Sequence, residues 1–245
     1  MRFSILRAFA WLAAPVLALT LALSLAGGAH AAPFTPEQEN QIRAVIRDYL
    51  VRHPDVLEEA NAALEAKKAA ARRVKIESDP HHFSIGPKDA PVTIVEFFDY
   101  RCPYCHAAAA WVDAKMRARK DIRWIFVEFP ILGPNSLEAS RAAVAVLKQG
   151  KYLAFHRALY KSPSELTTKD IDAIAKSAGV DVVRMRRDMA DPVILSQLQI
   201  NQETAAEEKV TGTPAFMING TWYSGFQPDE MDRVLRTLPA KQASR

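Results

Sequence analysis

The spacing of apolar positions changes several times along this chain, and each change marks an element. Arg2 and Arg7 precede an uncharged, mostly apolar run from Ala8 to Ala26, followed by Gly27-Gly28 and Ala29-His30-Ala31-Ala32. A basic start, an apolar stretch and small residues before the junction predict a secretory signal over 1–31, cleaved after Ala31. The run is barely long enough to span a bilayer, so an uncleaved membrane anchor is the alternative. Thr35-Pro36-Glu37-Gln38 reads as a helix start, and Ile42, Ile46, Tyr49 and Leu50 follow at helical spacing. His53-Pro54 interrupts. A second helical run carries Val56, Leu57, Ala60, Ala63 and Leu64 and dissolves into the basic stretch Lys67 to Lys75.

Beyond Ser78-Asp79-Pro80 the pattern becomes mixed α/β. Pro91 to Phe98 is β-branched and aromatic and predicts a buried strand; Ala107 to Arg119 predicts a helix; Ile122 to Phe129 predicts the next strand. The three form a βαβ unit. Ser136 to Ala206 is helical in pattern, with breaks at Gly150, Ser162-Pro163-Ser164, Gly179 and Asp191-Pro192. Asn219-Gly220 between Pro214–Ile218 and Thr221–Ser224 is a hairpin signal, and a last helix is expected from Asp229 to Leu238.

Composition narrows the classes. The 245 residues are 49% hydrophobic and 24% charged with nine glycines, a globular profile. A formal charge of +4 gives no electrostatic footprint for nucleic acid. Arg72-Arg73 and Arg186-Arg187 read as solvated helix faces, and His81-His82 as a loop pair. No phosphate loop, HExxH or Ser/His/Asp order is present.

The two cysteines, Cys102 and Cys105, carry the candidate chemistry. A bridge between them closes too short a loop to staple a domain, and two thiols are too few for a four-cysteine zinc site. Reactivity is the remaining reason for the pair. Cys102 falls where a helix begins, so unpaired backbone N–H groups favour its thiolate. Pro103 suits the first helical position, and Cys105, one turn in, suits a resolving thiol. Glu96 lies six residues before Cys102 on an otherwise apolar strand; buried there it would take the Cys105 proton, and facing solvent it would be bland. His106 either adds charge beside the thiolate or is an ordinary polar helix residue.

The strand Val95-Glu96-Phe97-Phe98, the tetrapeptide Cys102-Pro103-Tyr104-Cys105, the long helical stretch and Thr211-Gly212-Thr213-Pro214 before a hairpin together resemble the DsbA-like branch of the thioredoxin fold. With its helical extension the chain is similar to the suppressor-of-copper-sensitivity protein C type. The resemblance implies an α/β thioredoxin-like domain over 79–130 and 210–240, an inserted helical subdomain over 131–209, and an N-terminal helical arm over 32–78 that forms a homodimer or homotrimer. It also implies a cis Pro214 facing the cysteines, a Thr213 that offers its backbone to substrate, and an acid at Glu96. Thr213, Pro214, Tyr104 and Pro103 are then the substrate-binding set, and His106 a modulator.

The implied function is a periplasmic thiol-disulfide oxidoreductase acting on exported proteins with a membrane redox partner. No cofactor, metal or nucleic acid is expected. Tyr104 cannot donate charge to the thiolate as a histidine would, which leans the expectation to isomerase or reductase, with DsbA-type oxidase as the alternative. Two rivals compete: Cys102 to His106 also spells the c-type haem pattern, and two thiols could carry copper(I).

Overall fold

The computed structural model describes residues 34–239 apart from 163 and 164; the expected leader over 1–31 and the centre of the Ser162-Pro163-Ser164 break lie outside them. The chain divides into two compact units, with the boundary between Glu65 and Ala66.

The first unit holds α1 (Pro36–Arg52) and the start of α2 (Asp55–Ser78). Thr35 and Gln38 form the expected capping box. Within this unit the apolar stripe is left uncovered, with Val45, Ile46, Tyr49, Val51 and Leu57 all exposed.

The second unit is built on a five-stranded sheet in the order β1-β3-β2-β4-β5. These strands are β1 (Phe83–Ile85), β2 (Val92–Phe98), β3 (Ile122–Glu128), β4 (Ala215–Ile218) and β5 (Thr221–Ser224). Only β2 and β3 pair in parallel, joined by α3 (Pro103–Ala118). Cys105, Ala108, Val112 and Met116 recur at helical spacing on α3 and are its buried face. One side of the sheet is covered by that face and by helices inserted between β3 and β4, α4 (Pro134–Leu147), α5 (Tyr152–Tyr160), α6 (Thr168–Ser177), α7 (Val182–Asp188) and the first part of α8 (Pro192–Glu207), while Ala205 near the end of α8 packs with Ile76 on the other side. Helix α9 (Pro228–Thr237) closes the fold, and Trp111 Nε1 donates to Asp232 at 2.8 Å to tie it to α3. At the β4–β5 hairpin Asn219 and Gly220 both take positive φ, and the Asn219 side chain accepts from Thr93 N and donates to Pro91 O.

Three expectations need correction. Helix α2 does not dissolve at Lys67 but runs to Ser78, because its basic end has partners: Arg72 pairs with Glu208, Arg73 with Glu77 and Asn219 O, and Ile76 is buried. Arg72, Arg73 and Arg186 are therefore not solvated faces; Arg186 bridges Glu138 and Asp172. His82 is not a bland loop residue either. Its side chain is almost fully covered, with Nδ1 3.1 Å from Ile76 O and Nε2 3.0 Å from Asn201 Oδ1.

Candidate active site

Strand β2 ends at Phe98 and hands over to a turn fixed by Asp99, which is fully buried. Its Oδ1 accepts from Arg101 N and Ser136 Oγ at 2.8 Å, and its Oδ2 from Ile131 N at 2.8 Å and Leu132 N at 2.9 Å. Its carbonyl accepts from Cys102 N at 3.1 Å. One residue thus holds both the cysteine turn and the loop after β3.

Cys102 is the N-cap of α3 and Pro103 its first residue. Both sulfurs are reduced thiols. Cys102 Sγ lies 3.2 Å from the carbonyl oxygen of Thr213, and the Thr213–Pro214 peptide bond is cis. Thr213 is half-buried and Pro214 buried, while Pro103 and Tyr104 are exposed, Tyr104 to 70%. The two cysteines are set apart electrostatically. The Cys102 thiol is pulled down to about 5, chiefly by the hydrogen bond from the Cys105 thiol, joined by Thr213 and the backbone N–H groups of Cys105 and Tyr104 against the effect of burial. Burial pushes the Cys105 thiol far up, helped by its bond to Cys102 and by the charge of Glu96. Cys102 is more covered than an open nucleophile, at 5% exposed, with Thr213 against it; Cys105 is fully buried.

The structure brings Glu96 behind the pair, buried on the helix-covered face of β2. Desolvation, and then the charge of Glu128, raise its carboxyl to about 8. His106 is not brought to the Cys102 sulfur as a source of charge: its Nε2 is bound to the carbonyl of Tyr100 at 2.7 Å and its ring packs edge-on against Tyr160. Sequence reasoning missed Glu128, which is buried at the end of β3 and accepts from Tyr100 Oη at 2.9 Å, Tyr152 Oη at 2.8 Å and Ser140 Oγ at 2.7 Å. The signal that singles out Glu96, an acid in an apolar strand, was equally present in Ile122 to Phe129. His156, also passed over, is buried with Nδ1 3.1 Å from Tyr100 Oη, and burial holds it neutral, down to about 3. Among the described residues no cluster of three or more His, Cys, Asp or Glu could hold a metal ion.

A reduced cysteine pair opening a helix, a cis X–Pro bond against its first sulfur, and a buried acid beneath define the thioredoxin-like class of protein, here with an inserted helical block. The chain belongs to the thioredoxin family, which it matches over residues 77–237, and residues 38–71 match the N-terminal domain of the copper resistance protein ScsC. A solved thioredoxin-like oxidoreductase from Silicibacter pomeroyi is 35% identical, covering 67% of this chain and 98% of its own, with a TM-score of 0.63. A linker-deletion variant of ScsC from Proteus mirabilis is 31% identical, covering 84% and 97%, with a TM-score of 0.64. A periplasmic thioredoxin-like protein from Salmonella enterica serovar Typhimurium is 25% identical over 68% and 94%, with a TM-score of 0.63. The curated relatives include a Na+/H+ antiporter of Salinispora tropica, 30% identical over 154 residues, which are 62% of this chain and 24% of that protein. The chain spans about a quarter of the length of the curated relatives it matches. No helix among the described residues is long and apolar enough to cross a membrane.

Proposed function

We propose that this protein is a thiol-disulfide oxidoreductase of exported proteins, working in the periplasm. The observation that carries the reading is the asymmetry of the pair: a thiolate-favouring Cys102 beside the Thr213 carbonyl, and a buried Cys105 whose thiol keeps its proton. Cys102 attacks a substrate disulfide, forming a mixed disulfide and releasing one substrate thiolate; Cys105 then displaces the second substrate sulfur and leaves Cys102–Cys105 oxidised. The reverse sequence oxidises a substrate dithiol. Thr213 gives a passing chain a backbone partner that accepts many sequences. The uncharged run behind Arg2 and Arg7 supports export.

The direction we favour is isomerase or reductase, with a membrane electron donor keeping Cys102 reduced. Tyr104 supplies no cation, and Cys102 at about 5 sits between the values of about 3.5 for the strongly oxidising DsbA and about 7 for thioredoxin. The uncovered apolar stripe of α1 supports assembly into a homodimer or homotrimer, which would face several cysteine pairs toward one substrate. The same intermediate value also supports the second reading, a dithiol oxidase served by a reoxidising partner.

The test is Cys105→Ser. It should accumulate mixed disulfides through Cys102 with exported proteins, and absence of such adducts under oxidising conditions would remove the assigned chemistry.

A further inference from the structure

Helices α3 and α5 run antiparallel, with His106 packed on Tyr160 at one end and Asp113 held by Arg157 further on. Around that ion pair and toward the end of α3, the two helices and strand β1 border a surface groove of about 480 Å³. Arg117 and Lys120 line it from α3 and the turn that follows, Arg157 and Lys161 from α5 and its end, and Asp113 is its one acid. The rest of the lining is apolar: Met116, Leu153 and the sheet-edge residue Ile85, which is 37% exposed.

Four cations against one carboxylate is an excess the fold does not use. Arg157 is engaged by Asp113, and Lys120 Nζ donates to Met116 O at 3.0 Å, where it offsets the negative end of α3. Among the described residues the Arg117 and Lys161 side chains have neither an acid nor a carbonyl for a partner, and both are exposed. Other acids around them are taken: Asp121 holds Arg119, Asp232 holds Lys115, and Glu165, the acid nearest to Lys161 in sequence, faces Arg101.

Shape selects among anionic partners. A concave groove is out of reach of a flat lipid surface, and cations strung along two walls beside apolar side chains do not converge on one small ion. A second copy of this chain is a poor occupant, since it carries the same formal charge of +4. The occupant that matches is an extended polypeptide segment with repeated Asp or Glu, whose carboxylates meet the cations while its apolar parts lie on Met116, Leu153 and Ile85.

We propose that this groove is a docking site for an acidic, extended segment of an exported substrate, held apart from the substrate's cysteine. The inference rests on the thiol-disulfide reading for its role, and on charge and shape for the binding itself. From Cys102 to Arg117 the helix rises about 22 Å at about 1.5 Å per residue, and an extended chain covers that distance in about seven residues. The substrates favoured are those with an acidic run about seven residues or more from the reactive cysteine.

Binding is measured on the full chain with Cys102 alkylated, by the anisotropy of a fluorescein-labelled, cysteine-free peptide of alternating glutamate and serine, about eight residues long to match the span. It should weaken with salt, be absent for the glutamine counterpart, and fall about tenfold in Arg117→Glu/Lys161→Glu, with Arg117→Gln/Lys161→Gln between. Lys169→Glu/Lys176→Glu, the same charge change on α6, should stay within about twofold of the parent. Equal loss in the α6 variant, no loss in the groove variants, or groove-dependent binding of phosphatidylglycerol vesicles without binding of the peptide overturns the proposal.

The role is measured with peptides whose cysteine carries thionitrobenzoate: the Cys102 thiolate bonds the peptide sulfur, the old S–S bond breaks, and thionitrobenzoate leaves with the electron pair as a coloured anion. An acidic run about seven residues from the cysteine should raise the rate about tenfold over a glutamine run, and Arg117→Glu/Lys161→Glu should abolish that gain while the glutamine peptide keeps its parent rate. Equal rates for the two peptides in the parent overturn substrate docking. If no peptide reacts with Cys102 although the acidic one binds, it is the thiol-disulfide reading that fails, and the groove stands as a site for acidic segments.

Discussion

Glu96 and Glu128 lie on the same face of neighbouring parallel strands, Glu128 opposite Phe98 and so one side-chain step beyond Glu96. Three hydroxyl groups donate to Glu128, from Tyr100, Tyr152 and Ser140, and none donates to Glu96. Donors favour the charged form of a carboxyl, and two buried acids this near resist being charged together. Burial raises both carboxyls to about 8, and the three donors make Glu128 the one that ionises first while Glu96 keeps the proton. Below about pH 8 Glu96 enters the cycle as an acid, ready to protonate Cys105 when a substrate thiolate opens the Cys102–Cys105 bond.

This division has a stability consequence. The folded-state pKa of Glu96 is raised from 4.5 to about 8, so its stabilising contribution is complete below about pH 4.5 and is lost as pH rises through 8. Glu96→Gln should match the parent near pH 4.5 and exceed it by about 5 kcal/mol above pH 8, read from urea midpoints of the reduced proteins. Cys102 acts in the opposite sense, its contribution being present above the unfolded value of 9 and lost as pH falls through about 5. That contribution is common to both proteins and cancels in the comparison. An equal difference at the two pH values would mean that the Glu96 carboxyl is not raised above its ordinary range.

Tyr104 is exposed and lies between the two cysteines in sequence, so it can be changed without disturbing the core. Tyr104→His should lower the Cys102 midpoint, read from ultraviolet absorbance of the thiolate, by about one pH unit, since a cation at the helix start favours the anion. The reduction potential should rise by about 30 mV, the equivalent of that stabilisation for a two-electron couple. The parent potential also decides direction: a value near about −120 mV would favour the oxidase reading over the isomerase one.

Removal of the arm should separate assembly from chemistry, provided the cut respects the contacts of α2. A chain beginning at Ala66 should be monomeric by light scattering and keep its Cys102 reactivity. A chain beginning after Lys75 should lose a further 1–3 kcal/mol or about that, because Glu208, whose side chain is 8% exposed, is left without Arg72. An unchanged mass for the Ala66 chain would refute assembly through the arm.

Much of this architecture can be read from local pattern. The Cys102-Pro103-Tyr104-Cys105 turn sits at a strand-to-helix junction, and Asn219-Gly220 marks its hairpin, because both depend on residues adjacent in sequence. Strand β1 escapes such reading: three residues are too few to display an alternation, and Phe83–Ile85 is a strand only because β3 lies beside it. The groups around Glu128 come from β3, α4, α5 and the turn after β2, so no window of sequence contains the network. The same holds for Arg72, whose partner lies 136 residues away.

The Asp99 carboxylate fastens the loop after β3 by its main chain alone, at Ile131 N and Leu132 N, while both of those side chains remain about two-fifths exposed. Frame and surface are thereby separable. Relatives could exchange these two side chains, and with them the texture of the rim that an incoming polypeptide meets, while the scaffold under the reactive sulfur stays where it is.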